Sequence, residues 1–178
     1  VRPNGEHLYP VFPYTTYTNV LNEDIAAMFA YLKSIPAVRQ ATGENALRFP
    51  FNQRALLGFW KALYFDAGAF ESDPAKSEQF NRGAYLVEAL AHCSACHTPR
   101  NSLGAQQRHL AMSGGEYLDR VADGSYYPWS APNLTSSSRG LGLWSQQDVE
   151  DYLKTTRNDF LEAYGPMNEV ILNSTAHL

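Results

Sequence analysis

The chain holds two cysteines, Cys93 and Cys96, and the residue after the second is His97. Cys93-Ser94-Ala95-Cys96-His97 therefore sets two thiols about one helical turn apart with an imidazole beside them. That spacing lets both sulfurs add to the vinyl groups of one haem while the imidazole reaches its iron from the same face. Other chemistries of a Cys-x-x-Cys pair fit less well. A dithiol redox site belongs beside a strand-helix-strand pattern, and no such pattern flanks this one. A structural zinc site takes four ligands, and there is no second cysteine pair to supply them. The expectation is one covalent haem c, with His97 as the proximal ligand.

A second axial ligand has few candidates. Met28, Met112 and Met167 are the methionines, and His7, His92, His109 and His177 are the other histidines. Met28 lies in an apolar helical stripe, where packing explains it. Met112 is only 15 residues beyond His97, in a segment that must still wrap the haem edge. Met167 is 70 residues beyond, in Tyr164-Gly165-Pro166-Met167. There glycine allows close approach to the ring and proline stiffens the loop presenting the sulfur. Met167 is the expected distal ligand. The four histidines lack such a loop and read as surface or structural residues. Trp129, Pro132 and Leu134 are candidates for the haem wall, with Trp129 also able to donate its N–H to a propionate. Pro99 and Tyr164, close to the motif and to the methionine, complete the expected haem contacts.

These residues must be carried by helices and loops. Asn22 is expected to cap a helix from Glu23, with Glu23 and Asp24 at its positive end. Ile25, Met28, Phe29 and Leu32 form its apolar stripe, which runs to Pro36. The preceding Leu8 to Tyr14 stretch, with prolines among aromatics, reads as an ordered extended loop. From Ala37 to about Glu78 the pattern breaks into a connector with a short helix over Arg54 to Phe65. Phe49, Phe51, Phe59, Trp60, Tyr64 and Phe65 are aromatic anchors expected to lie on a neighbour. A helix from near Phe80 leads into Cys93, and Gly83 on it could admit a crossing helix. Another starts at Ser145, where Ser145 and Asp148 have capping-box spacing ahead of Val149, Tyr152 and Leu153. Between these two helices lies a loop-rich stretch with Gly114-Gly115, Gly124, Pro128, Pro132 and Ser136 to Ser138. A haem disc would give such loops a core to pack on.

Composition narrows the function classes. The 178 residues carry a net charge of −4 and 44% hydrophobic residues. Without a run of Lys or Arg, nucleic acid is not an expected partner. No stretch approaches the roughly 20 consecutive apolar residues of a membrane span.

With these blocks in hand, the chain resembles the cytochrome c subunits, usually multi-haem, of membrane-bound bacterial dehydrogenases of alcohols, aldehydes, sugars and sugar acids. The resemblance rests on Leu8-Tyr-Pro-Val-Phe-Pro-Tyr14, Phe49-Pro-Phe-Asn-Gln-Arg54, Asn81-Arg-Gly-Ala-Tyr-Leu-Val87 leading to Cys93-Ser-Ala-Cys-His-Thr-Pro-Arg-Asn101, Trp129-Ser-Ala-Pro-Asn-Leu-Thr135 and Gly165-Pro-Met-Asn-Glu-Val170. It implies an all-α, class I cytochrome c fold with loop-rich haem-wrapping segments, in which Cys93 and Cys96 bond haem and His97 and Met167 ligate its iron. Two departures stand out. Such subunits commonly have three attachment motifs, whereas this chain has one, and Phe12 stands where a ligating methionine would be expected. Residues 1–36 then read as the terminal part of a preceding cytochrome-like unit, 37–79 as the connector, and 80–178 as a mono-haem domain whose closing helix is missing. The expectation is a piece of a larger subunit. A sharper version has the 22–34 helix packing on the Gly83 helix in place of the missing one.

The resemblance also implies a role. Such subunits accept electrons from a dehydrogenase catalytic subunit carrying flavin, pyrroloquinoline quinone or molybdopterin. They pass them towards quinone or a terminal oxidase on the periplasmic side, with membrane association through further parts or partners. The chain is expected to be no enzyme by itself but the electron-transfer component of an oxidoreductase complex. Two alternatives stand beside it. One is a stand-alone soluble shuttle. The other is a haem peroxidase or sensor using Arg108 and His109 over an open iron.

Overall fold

The computed structural model describes residues 1–41, 43, 47, 49–50, 52–120 and 125–178, so the expected anchor Phe51 and the loop residue Gly124 lie outside the described residues. The chain divides into two compact units, Val1–Ala95 and Cys96–Leu178. Most of its regular structure is helical. No helix among the described residues is long and apolar enough to cross a membrane.

In the first unit a short helix α1 (Tyr14–Tyr17) precedes α2 (Asn22–Ser34), α3 (Leu56–Tyr64) and α4 (Glu78–Tyr85). Asn22 is the first residue of α2 and not its cap, which is Leu21. The reason is tertiary. The Leu21 N–H donates to the Tyr85 hydroxyl at 3.2 Å, and that hydroxyl donates to the Asp24 carboxylate at 2.5 Å, so a residue from α4 does the work of a local cap. The helix ends at Ser34 because Ile35, extended at φ −76° and ψ 150°, precedes Pro36.

Val20, Tyr85 and Ala89 form the buried cluster, with Tyr17, Leu21, Phe70 and Leu90 around it. The connector reaches this cluster, since the Phe70 N–H donates to the Asn19 carbonyl at 2.9 Å and its ring meets Tyr85 at 5.5 Å. Upstream, α3 rests on the N-terminal aromatic segment. Arg54 donates to the His7 carbonyl at 2.8 Å and lies over the Tyr9 ring, while Phe65 meets Tyr14 edge-on at 5.5 Å. Trp60, Tyr64 and Phe65 are thus half-buried anchors, but Phe49 and Phe59 are exposed. The α2 stripe of Ile25, Met28, Phe29 and Leu32 is likewise exposed. Its helix meets α4 through its first turn, and nothing lies within 4 Å of the Cβ position of Gly83.

Ser77 caps α4, its hydroxyl accepting from the Phe80 N–H at 3.2 Å. The helix then widens into a π-helical turn, Leu86–Leu90, before Ala91, His92 and Cys93. His92 takes the left-handed conformation, φ +42°, with its ring edge-on to Tyr17 at 5.4 Å.

The second unit departs from the all-α expectation. Part of the stretch read as loop is an antiparallel hairpin, β1 (Gly115–Arg120) with β2 (Tyr126–Ala131), in the register Gly115 opposite Ala131 and Tyr117 opposite Trp129. A two-stranded sheet leaves each strand an outer edge, which is where Pro128 is tolerated. Helix α6 (Gln146–Thr155) starts at the expected capping box, with both reciprocal Ser145–Asp148 bonds formed. The Ser145 hydroxyl and backbone N–H hold the Asp148 carboxyl below its ordinary range. Val149, Tyr152 and Leu153 are half-buried, as their spacing requires. Trp144 lies edge-on to Tyr152 at 5.5 Å and stacks on Phe160 at 5.6 Å. Helix α7 (Gly165–Asn173) has a proline in its first turn and buries Ile171 completely. It is held to α6 by the Thr175 hydroxyl, which donates to the Leu153 carbonyl at 2.6 Å.

Candidate functional site

The attachment motif forms one helical turn, α5 (Ser94–His97), and both thiols are half-buried. Among the described residues no disulfide ties up either sulfur. Burial pushes the Cys96 thiol up, an effect that Arg100 partly opposes.

His97 is only 8% exposed, and its Nδ1 lies 2.8 Å from the Pro132 carbonyl oxygen. A carbonyl only accepts, so Nδ1 carries the proton and Nε2 keeps its lone pair. Burial also lowers the histidine below its ordinary range, against the smaller opposing pull of the Pro132 bond. A neutral, oriented imidazole with a bare Nε2 is what an iron ligand must be. Two thiols in the spacing of the motif and this histidine make a donor set that fits a covalent haem.

The hairpin base is what presents Pro132. Gly114, at φ +101°, donates its N–H to the His97 carbonyl at 2.9 Å. A Cβ on Gly115 would collide with the Cys96 carbonyl oxygen and stand 3.2 Å from that of Thr98. The backbone of β1 is therefore seated directly on the Cys96–Thr98 backbone, a position open to glycine alone. Thr98, 3% exposed, accepts the Met112 N–H on its hydroxyl at 3.1 Å, and the Met112 carbonyl takes the Leu134 N–H at 2.8 Å. Beyond the motif the chain turns on Asn101, whose side chain accepts from Leu103 and Ala105.

The expected haem contacts fall into two groups. Pro132 and Leu134 are tied to the motif, the first through His97 and the second through Met112. Pro99, half-buried, accepts from the Gln107 N–H at 2.9 Å. At the other end, Tyr164 is the exposed N-cap of α7, and Met167 is half-buried in its first turn. Trp129 joins this second group through Gly165. Its ring carbons Cη2 and Cζ2 stand 2.5 Å from where a Cβ of residue 165 would be, and Gly165 has φ +52°. Arg108 and His109, the pair a peroxidase reading needs, sit exposed on a 3-10 turn, Arg108–Leu110. Sequence reasoning missed the carbonyl role of Pro132, the Thr98 hydroxyl and the glycine seat at 114–115. Only the Gly-Gly pair left a trace in the sequence.

No family model matches the chain. It does align with several curated proteins. One relative is a nicotinate dehydrogenase component of Pseudomonas putida, to which it is 43% identical over 94% of this chain and 14% of that one. It is 39% identical to the fructose dehydrogenase cytochrome subunit of Gluconobacter japonicus, covering all of this chain and 35% of that one. It is 38% identical to the gluconate 2-dehydrogenase cytochrome c subunit of Pantoea cypripedii, covering all of this chain and 41% of that one. The chain thus spans less than half the length of each of these three relatives. Over nearly its whole length it is a homologue of dehydrogenase subunits, cytochrome c subunits among them, as the resemblance in its own motifs implies.

Proposed function

We propose that this chain carries one covalent haem c and serves as the electron-transfer part of a dehydrogenase. It would accept electrons from a catalytic subunit with a flavin, pyrroloquinoline quinone or molybdopterin centre and pass them towards quinone or the respiratory chain. The observation that carries this reading is His97, buried, neutral and turned by Pro132 so that Nε2 is the open donor. The homology to cytochrome subunits supports it.

When bound, the haem supplies a one-electron couple at its iron. The chain's own residues do the rest. The Cys93 and Cys96 thiols each add S–H across a vinyl group, so that a thioether forms and nothing is expelled. His97 holds the iron through Nε2, and its orientation does not relax because Nδ1 is already bonded. Met167 is the proposed second axial ligand, a neutral thioether of the kind that raises the potential of a histidine-ligated iron. Pro99, Trp129, Pro132, Leu134 and Tyr164 are proposed to line the ring. No acid or base is required of any of them. Residues 80–178 are proposed as the haem domain, 37–79 as its connector and 1–36 as the end of a preceding unit. Attachment of this kind takes place outside the cytoplasm, so the working protein is assigned to the periplasm or the outer face of the inner membrane.

The test is the oxidised spectrum of the purified holoprotein and of Met167→Ala. A weak near-infrared sulfur-to-iron band in the parent that disappears in the variant is expected. A parent without that band would remove Met167 as ligand and transfer the site to histidine or to an open iron.

A further inference from the structure

One hairpin reaches both proposed axial ligands. At its base, Gly114 donates to the His97 carbonyl and Pro132, directly after β2, accepts from the His97 ring. Along β2, Trp129 lies against Gly165, two residues before Met167. We propose that Trp129 is the positioning residue for Met167, a wedge that fixes the Gly165 turn and so sets how firmly the thioether is held at the iron. This rests on the Met167 reading and deepens it.

The geometry supports a wedge over a mere neighbour. The indole occupies the volume of the missing side chain, with Cη2 and Cζ2 at 2.5 Å and Cε2 at 2.8 Å from the ideal Cβ position. Only glycine fits there, and its φ of +52° is a conformation that residues with side chains rarely adopt. The turn is therefore selected twice, by backbone conformation and by the ring laid on it. Trp129 is itself braced, because Tyr127 stands 4.8 Å from it at an interplanar angle of 51° and β1 pairs behind it, with Tyr117 opposite. After the turn, the proline in the first turn of α7 carries the rigidity on to Met167. Removing the ring would leave Gly165 free to choose among the many conformations glycine allows, and the sulfur would inherit that freedom. Trp129 acts through Gly165 and has no part in the chemistry at the metal.

Imidazole competes with a thioether for oxidised haem iron, so its affinity measures how firmly Met167 is held. Holoprotein carrying Trp129→Ala is expected to bind imidazole at least about tenfold more tightly, in line with the loss of other outer-sphere partners, and to show a weaker near-infrared band. Trp129→Phe, which keeps a ring over Gly165, should restore most of both. Gly165→Ala should reproduce the loosening in the parent and add little in the Trp129→Ala background, since the two changes break the same contact. The proposal is overturned if the parent shows the band and Trp129→Ala leaves band and imidazole affinity unchanged. Should Trp129→Ala fail to hold haem, the phenylalanine and Gly165→Ala variants decide alone: parent-like imidazole affinity in Gly165→Ala overturns the proposal. A parent without the band fails earlier, at the assignment of Met167 itself, and is told apart by needing no variant.

Discussion

At the scale of single residues, the site turns on contacts that have no sequence signature. His97 was marked by its place after Cys96, but the carbonyl that orients it belongs to Pro132, 35 residues away. Any residue except at a chain end offers a carbonyl, so composition cannot reveal which one will be used. The seat of β1 on the motif is better tested than described. Gly115→Ala drives a methyl into the Cys96 carbonyl oxygen, and backbone on both sides leaves it no flexible neighbour to displace. The expected outcome is a clear loss of covalently attached haem, about tenfold or more on the scale of outer-sphere damage to a metal site. Haem staining of the denatured chain measures it directly. Gly83→Ala, where nothing lies within 4 Å, should leave attachment unchanged and serves as the control.

At the scale of elements, helices were legible and their neighbours were not. The box at Ser145 and the spacing of Val149, Tyr152 and Leu153 located α6 because the whole signal lies in consecutive turns of one short stretch. The start of α2 was misplaced by one residue because its cap comes from Tyr85 on another helix. Tyr85 is 3% exposed, and its hydroxyl serves both the Leu21 N–H and Asp24. Tyr85→Phe strands both partners and is expected to cost about 1–3 kcal/mol, read from denaturant unfolding. Burial, chiefly, and the Asp24 bond raise the Tyr85 phenol above its ordinary value. A raised acid keeps its proton when folded, so its contribution is intact below the ordinary tyrosine value of about 10 and fades as pH climbs from there to the folded value. Stability should fall in that alkaline window, and Tyr85→Phe should flatten the fall. Tyr14 and Tyr152, also raised by burial, will retain part of it. The hairpin escaped notice for its own reason. Its second strand carries a proline and has a largely exposed pattern, so neither alternation nor an apolar run announces it.

For the molecule as a whole, the motifs placed the chain among dehydrogenase cytochromes more surely than any element prediction placed its strands. Five short blocks in the right order are a long-range signal, whereas strand pairing depends on partners far apart in sequence. A whole-molecule property follows from charge. The chain carries a net −4, and haem propionates would add to it. A cationic one-electron reductant should therefore react more slowly as salt rises and the screening length shrinks from about 30 Å at 0.01 M to about 8 Å at 0.15 M. An anionic reductant should respond in the opposite sense, and stopped-flow traces at the two salt levels compare them. The same salt response for both reductants would mean that local and not net charge governs encounter. The wide turn at Leu86–Leu90 has a consequence of another kind. It holds the surplus residue of a helix that would otherwise run on in α geometry towards Cys93. Deleting one residue there would give a more regular helix and swing everything after it by roughly 100° about the axis. The first sulfur would then point away from its vinyl group. Selection for a tidier helix and selection for a maturable cytochrome pull in opposite directions at this turn, so an effort to stabilise the chain by helix repair would erase the cofactor it exists to carry.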